Sequence, residues 1–125
     1  MSIPKLIRSF EASADVDPYR IVRFSDASAS SKIAEATAAT QAIFGTTGKL
    51  GGATGDMVDV TLSGLGDVQL GGTVTAGAWL TSDADGKAIA ATLAGQRLIG
   101  QAHAPGVADD VIPYLCAPGI FAVAA

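Results

Sequence analysis

Between residues 56 and 86 apolar and polar positions alternate with a period of two. Val58, Val60 and Leu62 take one parity against Asp59, Thr61 and Ser63. Val68, Leu70 and Val74 form the next run, against Asp67, Gln69 and Thr73. Alternation over this length predicts strands with one face buried and one face wet. Gly64, Gly66, Gly71, Gly72 and Gly77 punctuate the stretch, which predicts turns, bulges or close backbone approaches between two strands. The stretch reads as scaffold, with no pattern of reactive groups.

The flanking chain carries weaker signals of the same kind. Residues 19–24 have the composition of a strand, and 25–31 form a polar loop. Residues 32–44 are ambiguous. Alanines with Glu35 and Gln41 favour a helix, whereas Thr37, Thr40, the missing capping box and Gly45 favour two short strands. Residues 45–55 read as a glycine-threonine loop. Short strands are expected at 78–81, 88–93, 98–102 and 111–116. Pro113 marks an edge or a bulge in the last of them, and residues 117–119 close it. Short strands at such spacing suggest a small β-barrel or sandwich. Residues 1–18 stand apart. Ile3, Leu6, Ile7 and Phe10 fit neither period, and Pro4 and Pro18 bracket them. They read as an extended N-terminal arm ahead of a single β domain, 19–125. Such an arm either folds back on its own domain or adds a strand to another chain.

Composition narrows the classes. Charged residues make up 16% of the 125, below the usual share of roughly 25%, and aromatics 6%. The formal charge is −4, and Lys5, Arg8, Arg20, Arg23 and Lys32 hold most of the eight basic residues without forming a cluster. That distribution argues against nucleic acid as a partner and leaves a basic arm that could meet an acidic protein surface. The single cysteine, Cys116, excludes a disulfide framework and a cysteine zinc site. It reads as a small buried hydrophobe in a protein matured in a reducing cytoplasm. There is neither an 18-residue apolar run for a membrane helix nor a signal-peptide h-region.

Each candidate for chemistry has a plainer alternative. Gly48-Lys49 invites a phosphate-loop reading, but Ile43 and Leu50 stand where that motif requires glycine and a hydroxyl. Asp83, Asp85 and Gly86 hint at a calcium loop, yet no closing glutamate follows, and Asp-Gly between apolar runs is a hairpin signal. His103 is the only histidine and no nucleophile elbow accompanies it. Asp109 and Asp110 are adjacent, so on a strand they would point to opposite faces. No catalytic residue, metal ligand or cofactor is therefore expected. Trp79 reads either as an inter-strand anchor or as a subunit-interface anchor, where tryptophan is enriched.

Taken together, residues 19–24, 36–45, 55–64, 70–77, 80–87, 99–102, 111–115 and 117–119 resemble a small Gly/Ala-rich group among the head decoration (capsid cement) proteins of tailed bacteriophages. Residues 55–64, Gly-Asp-Met-Val-Asp-Val-Thr-Leu-Ser-Gly, are the most similar part. The resemblance implies a mainly β, tulip-like small barrel or sandwich with little helix, and tips residues 32–44 toward extended structure. It implies a non-enzymatic structural protein, made in the host bacterial cytoplasm, that binds the outer surface of the expanded head and stabilises it. Its partners would be the major capsid protein and further copies of itself, as a homotrimer. Ile3, Lys5, Leu6, Ile7, Arg8 and Phe10 would form the capsid-binding arm, and Trp79 a subunit contact. Three other readings stay open: a swivelling carrier barrel modified on Lys87, a small hydrolase using His103, and a structural or fibre module of another kind.

Overall fold

A computed structural model describes residues 3–26, 28 and 31–122. Among these residues there is no helix. The elements are nine strands: β1 Pro4–Ala12, β2 Ile21–Phe24, β3 Lys32–Glu35, β4 Ile43–Thr47, β5 Met57–Gln69, β6 Trp79–Ser82, β7 Ala88–Ala90, β8 Arg97–Ala102 and β9 Val111–Ile120. They lie in the order β1-β3-β2-β4-β5-β9-β8-β6-β7, and β1 also pairs with β5. That extra pairing closes β1, β3, β2, β4 and the first part of β5 into a five-stranded barrel. The second part of β5 leads the set β5-β9-β8-β6-β7, which returns to its start through a parallel bridge between Leu70 and Ala88. Closure of this kind leaves few open sheet edges.

The two sets repeat each other residue by residue. β1 meets β5 through Ile7–Thr61, Arg8–Val60, Ser9–Asp59, Phe10–Val58 and Glu11–Met57. β5 meets β9 through Leu65–Leu115, Gly66–Tyr114, Asp67–Pro113, Val68–Ile112 and Gln69–Val111. Ile21–Thr46 and Val22–Gly45 between β2 and β4 recur as Trp79–Gln101 and Leu80–Gly100 between β6 and β8. The bridge from Val16 to Gly52 recurs as Val74 to Gly106. Asp56 accepts the amide of Ala53, and Asp110 accepts that of Val107. The chain is thus two copies of one barrel motif, and β5 is the last strand of the first and the first strand of the second.

The alternation predicted between residues 56 and 86 places Val58, Val60, Val68 and Leu70 inside, but Thr61, expected on the wet face, is buried as well, because the second half covers it. The expected break is absent. Residues 57–69 form one strand, and Gly64 sits within it at φ 84°. A left-handed glycine there bends the strand from one barrel into the next without ending it. Residues 32–44 are two short strands around a turn rather than a helix. The turn is closed by Gln41, whose Oε1 accepts the amides of Thr37 and Ala38. Gly45, Thr46 and Thr47, expected in a loop, complete β4 instead. Pro113 lies in an interior strand, between β5 and β8. Its carbonyl accepts the amide of His103, just past the end of β8. The missing N–H therefore points where no ladder bond is needed. Residues 117–119 continue β9 instead of closing it.

Each half has its own core. Phe10, Val22, Ile33, Val58 and Val60 fill the first, against Phe24, Phe44 and Leu62. Val68, Leu70, Leu80, Ile99, Ile112 and Tyr114 fill the second, which also takes in Ile21, Ala36 and Ile43 from the first half. Full burial of a side chain such as Phe10 contributes roughly 1.5–3 kcal/mol. Polar groups stitch the seam between the halves. Thr46 Oγ1 and the Tyr114 hydroxyl, both buried, share a hydrogen bond of 2.8 Å. Arg20 donates across it to Gln69 Oε1 at 3.3 Å and to the Asp85 carbonyl at 3.4 Å.

Candidate docking surfaces

The first surface is built on β1. Its C-terminal end is held from both sides, because β3 pairs with Glu11 and Ala12 while β5 runs alongside. Upstream of Glu11 only β5 accompanies it, so from residue 4 to 10 the other edge has no strand partner among the described residues. Two register shifts, between Pro4 and Leu6 and between Leu6 and Ile7, loosen the alternation that burial would impose. Side chains therefore emerge on both faces: Ile3, Leu6 (53% exposed), Ile7 (50%), Lys5 and Arg8 all face solvent. Phe10 does not. It lies in the first core at 1% exposure, with Phe24 and Phe44 edge-on to its ring. The segment expected as an arm is thus extended and built into the first barrel, and of the residues grouped with it Phe10 alone is withdrawn from the surface. Arg8 places its guanidinium over the Phe10 ring, 4.8 Å from the centroid, a cation–π contact that holds the charge at the rim.

Beside β1 lies an open groove of about 520 Å³, lined among others by Pro4, Ile7, Lys49, Leu50, Met57 and Leu65. Leu50 and Met57 are both largely exposed. Nothing in the local pattern marks them, since one sits in a glycine loop and the other opens a strand. Only the pairing of β1 with β5 brings them next to Ile7. Ser9 donates to Asp59 at 2.7 Å on this side of the sheet.

The second surface is a row across the second sheet. Trp79 pairs with Gln101, Gln101 with Leu115, and Leu115 with Leu65. Trp79 is 42% exposed and Leu115 similarly open, with Val111 two residues along β9 from Pro113 also exposed. The Trp79 indole thus lies outside both cores.

The residues considered for chemistry are spread apart and engaged elsewhere. Lys87 pairs with Asp109 at 2.8 Å, which draws the Asp109 carboxyl below its ordinary range. Asp83 Oδ1 accepts the amides of Asp85 and Lys87, closing the hairpin turn. His103 is exposed at a turn. Among the described residues no three histidines, cysteines or carboxylates gather to hold a metal. No helix there is long and apolar enough to cross a membrane. Burial pushes the Tyr114 hydroxyl and the Cys116 thiol above their usual ranges, and both belong to the seam between the halves.

Comparison with known proteins agrees with a scaffold. The family model described as phage cement protein matches residues 7–115. No curated protein matches the sequence. Among solved structures, the N base of the head fiber gp8.5 of bacteriophage phi29 is similar, with a TM-score of 0.69 over 90% of this chain and 93% of that one. The identity is 18%, so that likeness is one of fold.

Proposed function

Because the chain belongs to the phage cement protein family, and is thus a structural, capsid-associated phage protein and not an enzyme, we propose that it binds the outer surface of the expanded head and stabilises it. The observation that carries this reading is the upstream half of β1, an apolar strand with a bare edge and two cations. Ile3, Leu6 and Ile7 dock on the major capsid protein, the free edge of β1 adds to a strand there, and Lys5 and Arg8 meet capsid carboxylates. Phe10 serves from behind, fixing the strand through its burial. The groove floored by Leu50 and Met57 takes up apolar side chains from the same partner.

Binding to the expanded lattice in preference to the unexpanded one stabilises it by mass action, as any ligand of one state does. Copies act as a homotrimer, in which three modest contacts gain by effective concentration. Trp79 lies at the contact between copies.

The test uses the folded protein with Leu6→Asp and Ile7→Asp, singly and together. Both positions are half-exposed, so circular dichroism and urea midpoints stay close to the parent. Co-sedimentation with expanded heads should fall at least about tenfold for each, the effect of losing one interface anchor. Undiminished binding by the folded double variant overturns the role of β1. Equal binding to expanded and unexpanded shells overturns stabilisation of the expanded state.

A further inference from the structure

The duplication shows how one copy of this motif packs on another. In the first half Ile21, Thr46 and Thr61 form a row across β2, β4 and β5, and all three are buried. The row presses on the second half. Ile21, with Ala36 and Ile43, joins the second core, and Thr46 bonds to Tyr114. The receiving positions include Gly66, where an added Cβ would meet the side chains of Tyr114, Thr61 and Thr46, and Cys116, whose Sγ lies 3.2 Å from the Leu62 carbonyl. Ile99 lines the same core.

The matching registers define the same two surfaces on the other half. Ile21, Thr46 and Thr61 correspond to Trp79, Gln101 and Leu115, the row that stands open. An end face of a stacked repeat is ordinarily polar, because nothing covers it. This one carries two large apolar side chains, Trp79 and Leu115, in the open on either side of Gln101. Of the receiving positions, Ile99 and Cys116 correspond to Phe44 and Leu62, and Gly66 to Arg8, whose guanidinium lies over the Phe10 ring beside them; Phe24, the counterpart of Ser82, adjoins Phe44. Phe24 and Phe44 stack at 4.1 Å between ring centroids, half-buried, with Leu62 packed against the same core.

We propose that the Trp79–Gln101–Leu115 row of one copy packs on the Phe24–Phe44–Leu62 lid of a second copy. The joint that holds the two halves of one chain together is repeated between chains. The two surfaces are unlike, so the contact is head-to-tail and either closes a ring or runs on. The proposal gives the self-association part of the reading above its surfaces and does not depend on capsid attachment, because its test uses the protein alone.

Light scattering and sedimentation from micromolar to millimolar protein should show association. Trp79→Asp and Leu62→Asp, each folded by circular dichroism, should each weaken it at least about 30-fold, as expected for an interface anchor. Mixing the two variants should restore one dimer and nothing larger, since the pair still holds one intact row and one intact lid. Disulfide capture covers the case in which Leu62→Asp does not fold. With Cys116→Ser, cysteines placed at 79 and 62 should link row to lid between copies on oxidation, and cysteine at 79 alone should not. Failure of the mixture to pair, or linkage through position 79 alone, overturns the head-to-tail joint. So does the absence of any intermolecular disulfide at millimolar protein. Head binding by Trp79→Asp reads out separately, so loss of the joint and loss of capsid attachment are distinguishable.

Discussion

The hydroxyl pair between Thr46 and Tyr114 is a sharp probe of the seam, because both partners are fully buried and belong to different halves. Tyr114→Phe removes one hydroxyl and leaves Thr46 Oγ1 without a partner. Thr46→Val removes the other partner at nearly constant volume and leaves the Tyr114 hydroxyl with Cys116 alone. Leaving one buried polar group unmatched costs about 1–3 kcal/mol, whereas the net worth of an intact neutral hydrogen bond is only about 1 kcal/mol. Each single variant should therefore lose about 1–3 kcal/mol, with Thr46→Val at the lower end. The double variant removes both polar groups together and should lose less than the two singles added, with a coupling of about 1–2 kcal/mol. Urea unfolding measures this directly, provided the slope is unchanged. Heating should show each single variant melting about 3–15 °C lower, at roughly 3–5 °C per kcal/mol for a domain of this size. Simple addition of the two losses, or single losses below about 0.5 kcal/mol, would refute the reasoning. The seam would then be held by the packing of Ile21 and Ile43 and by Arg20, without help from the hydroxyl pair.

Two further outcomes follow from local geometry. Gly100→Ala should cost about 3 kcal/mol or more in urea unfolding, because its Cβ would meet the carbonyl oxygen of Leu115, a backbone atom that cannot swing aside; Gly48→Ala, with open space around it, should change stability by less than about 0.5 kcal/mol, and equal effects would be evidence against the close approach. Burial raises the Cys116 thiol pKa, so its thiolate is scarcer at pH 8 than that of an exposed cysteine; alkylation should run at least about tenfold slower than for a small free thiol and accelerate in urea, and an unretarded rate in folded protein would contradict it.

The fold was legible in the sequence wherever side-chain parity decided it. Val58, Val60 and Val68 announce their strand because each alternates with a polar neighbour that stays in solvent. Where a residue's meaning depends on a distant partner, the local pattern misleads. Gly64 looks like a break, yet it bends a strand that β1 and β9 hold from either side of the bend. Pro113 looks like an edge, yet its lost donor falls beyond the end of β8. Phe10 looks like one more exposed apolar residue beside Ile7, and only its register against Val58 turns it inward. The duplication did leave a trace. Ala36-Thr-Ala-Ala-Thr-Gln41 and Ala91-Thr-Leu-Ala-Gly-Gln96 share the order Ala-Thr-x-Ala-x-Gln. Gln96 Oε1 accepts the amides of Thr92 and Leu93 as Gln41 accepts those of Thr37 and Ala38. Neither segment has helical or strand periodicity, because the glutamine side chain, not a backbone ladder, closes the turn. The docking surfaces were half legible. Ile3, Leu6, Ile7 and Trp79 stand out by type, whereas Leu50 and Met57 become neighbours of Ile7 only through pairing across the barrel.

Strand β5 belongs to both barrels at once, and this makes the protein indivisible in a way its repeated plan conceals. In a chain of separate repeats one unit can fray, be cut away or be exchanged while its neighbour persists. Here a proteolytic nick near Gly64 removes a wall from each barrel together, so neither fragment is a smaller version of the whole. Melting should correspondingly be all-or-none, with calorimetric and van't Hoff enthalpies equal. A load applied at the upstream end of β1 enters the shared strand and meets the bend at Gly64 before it reaches the second barrel.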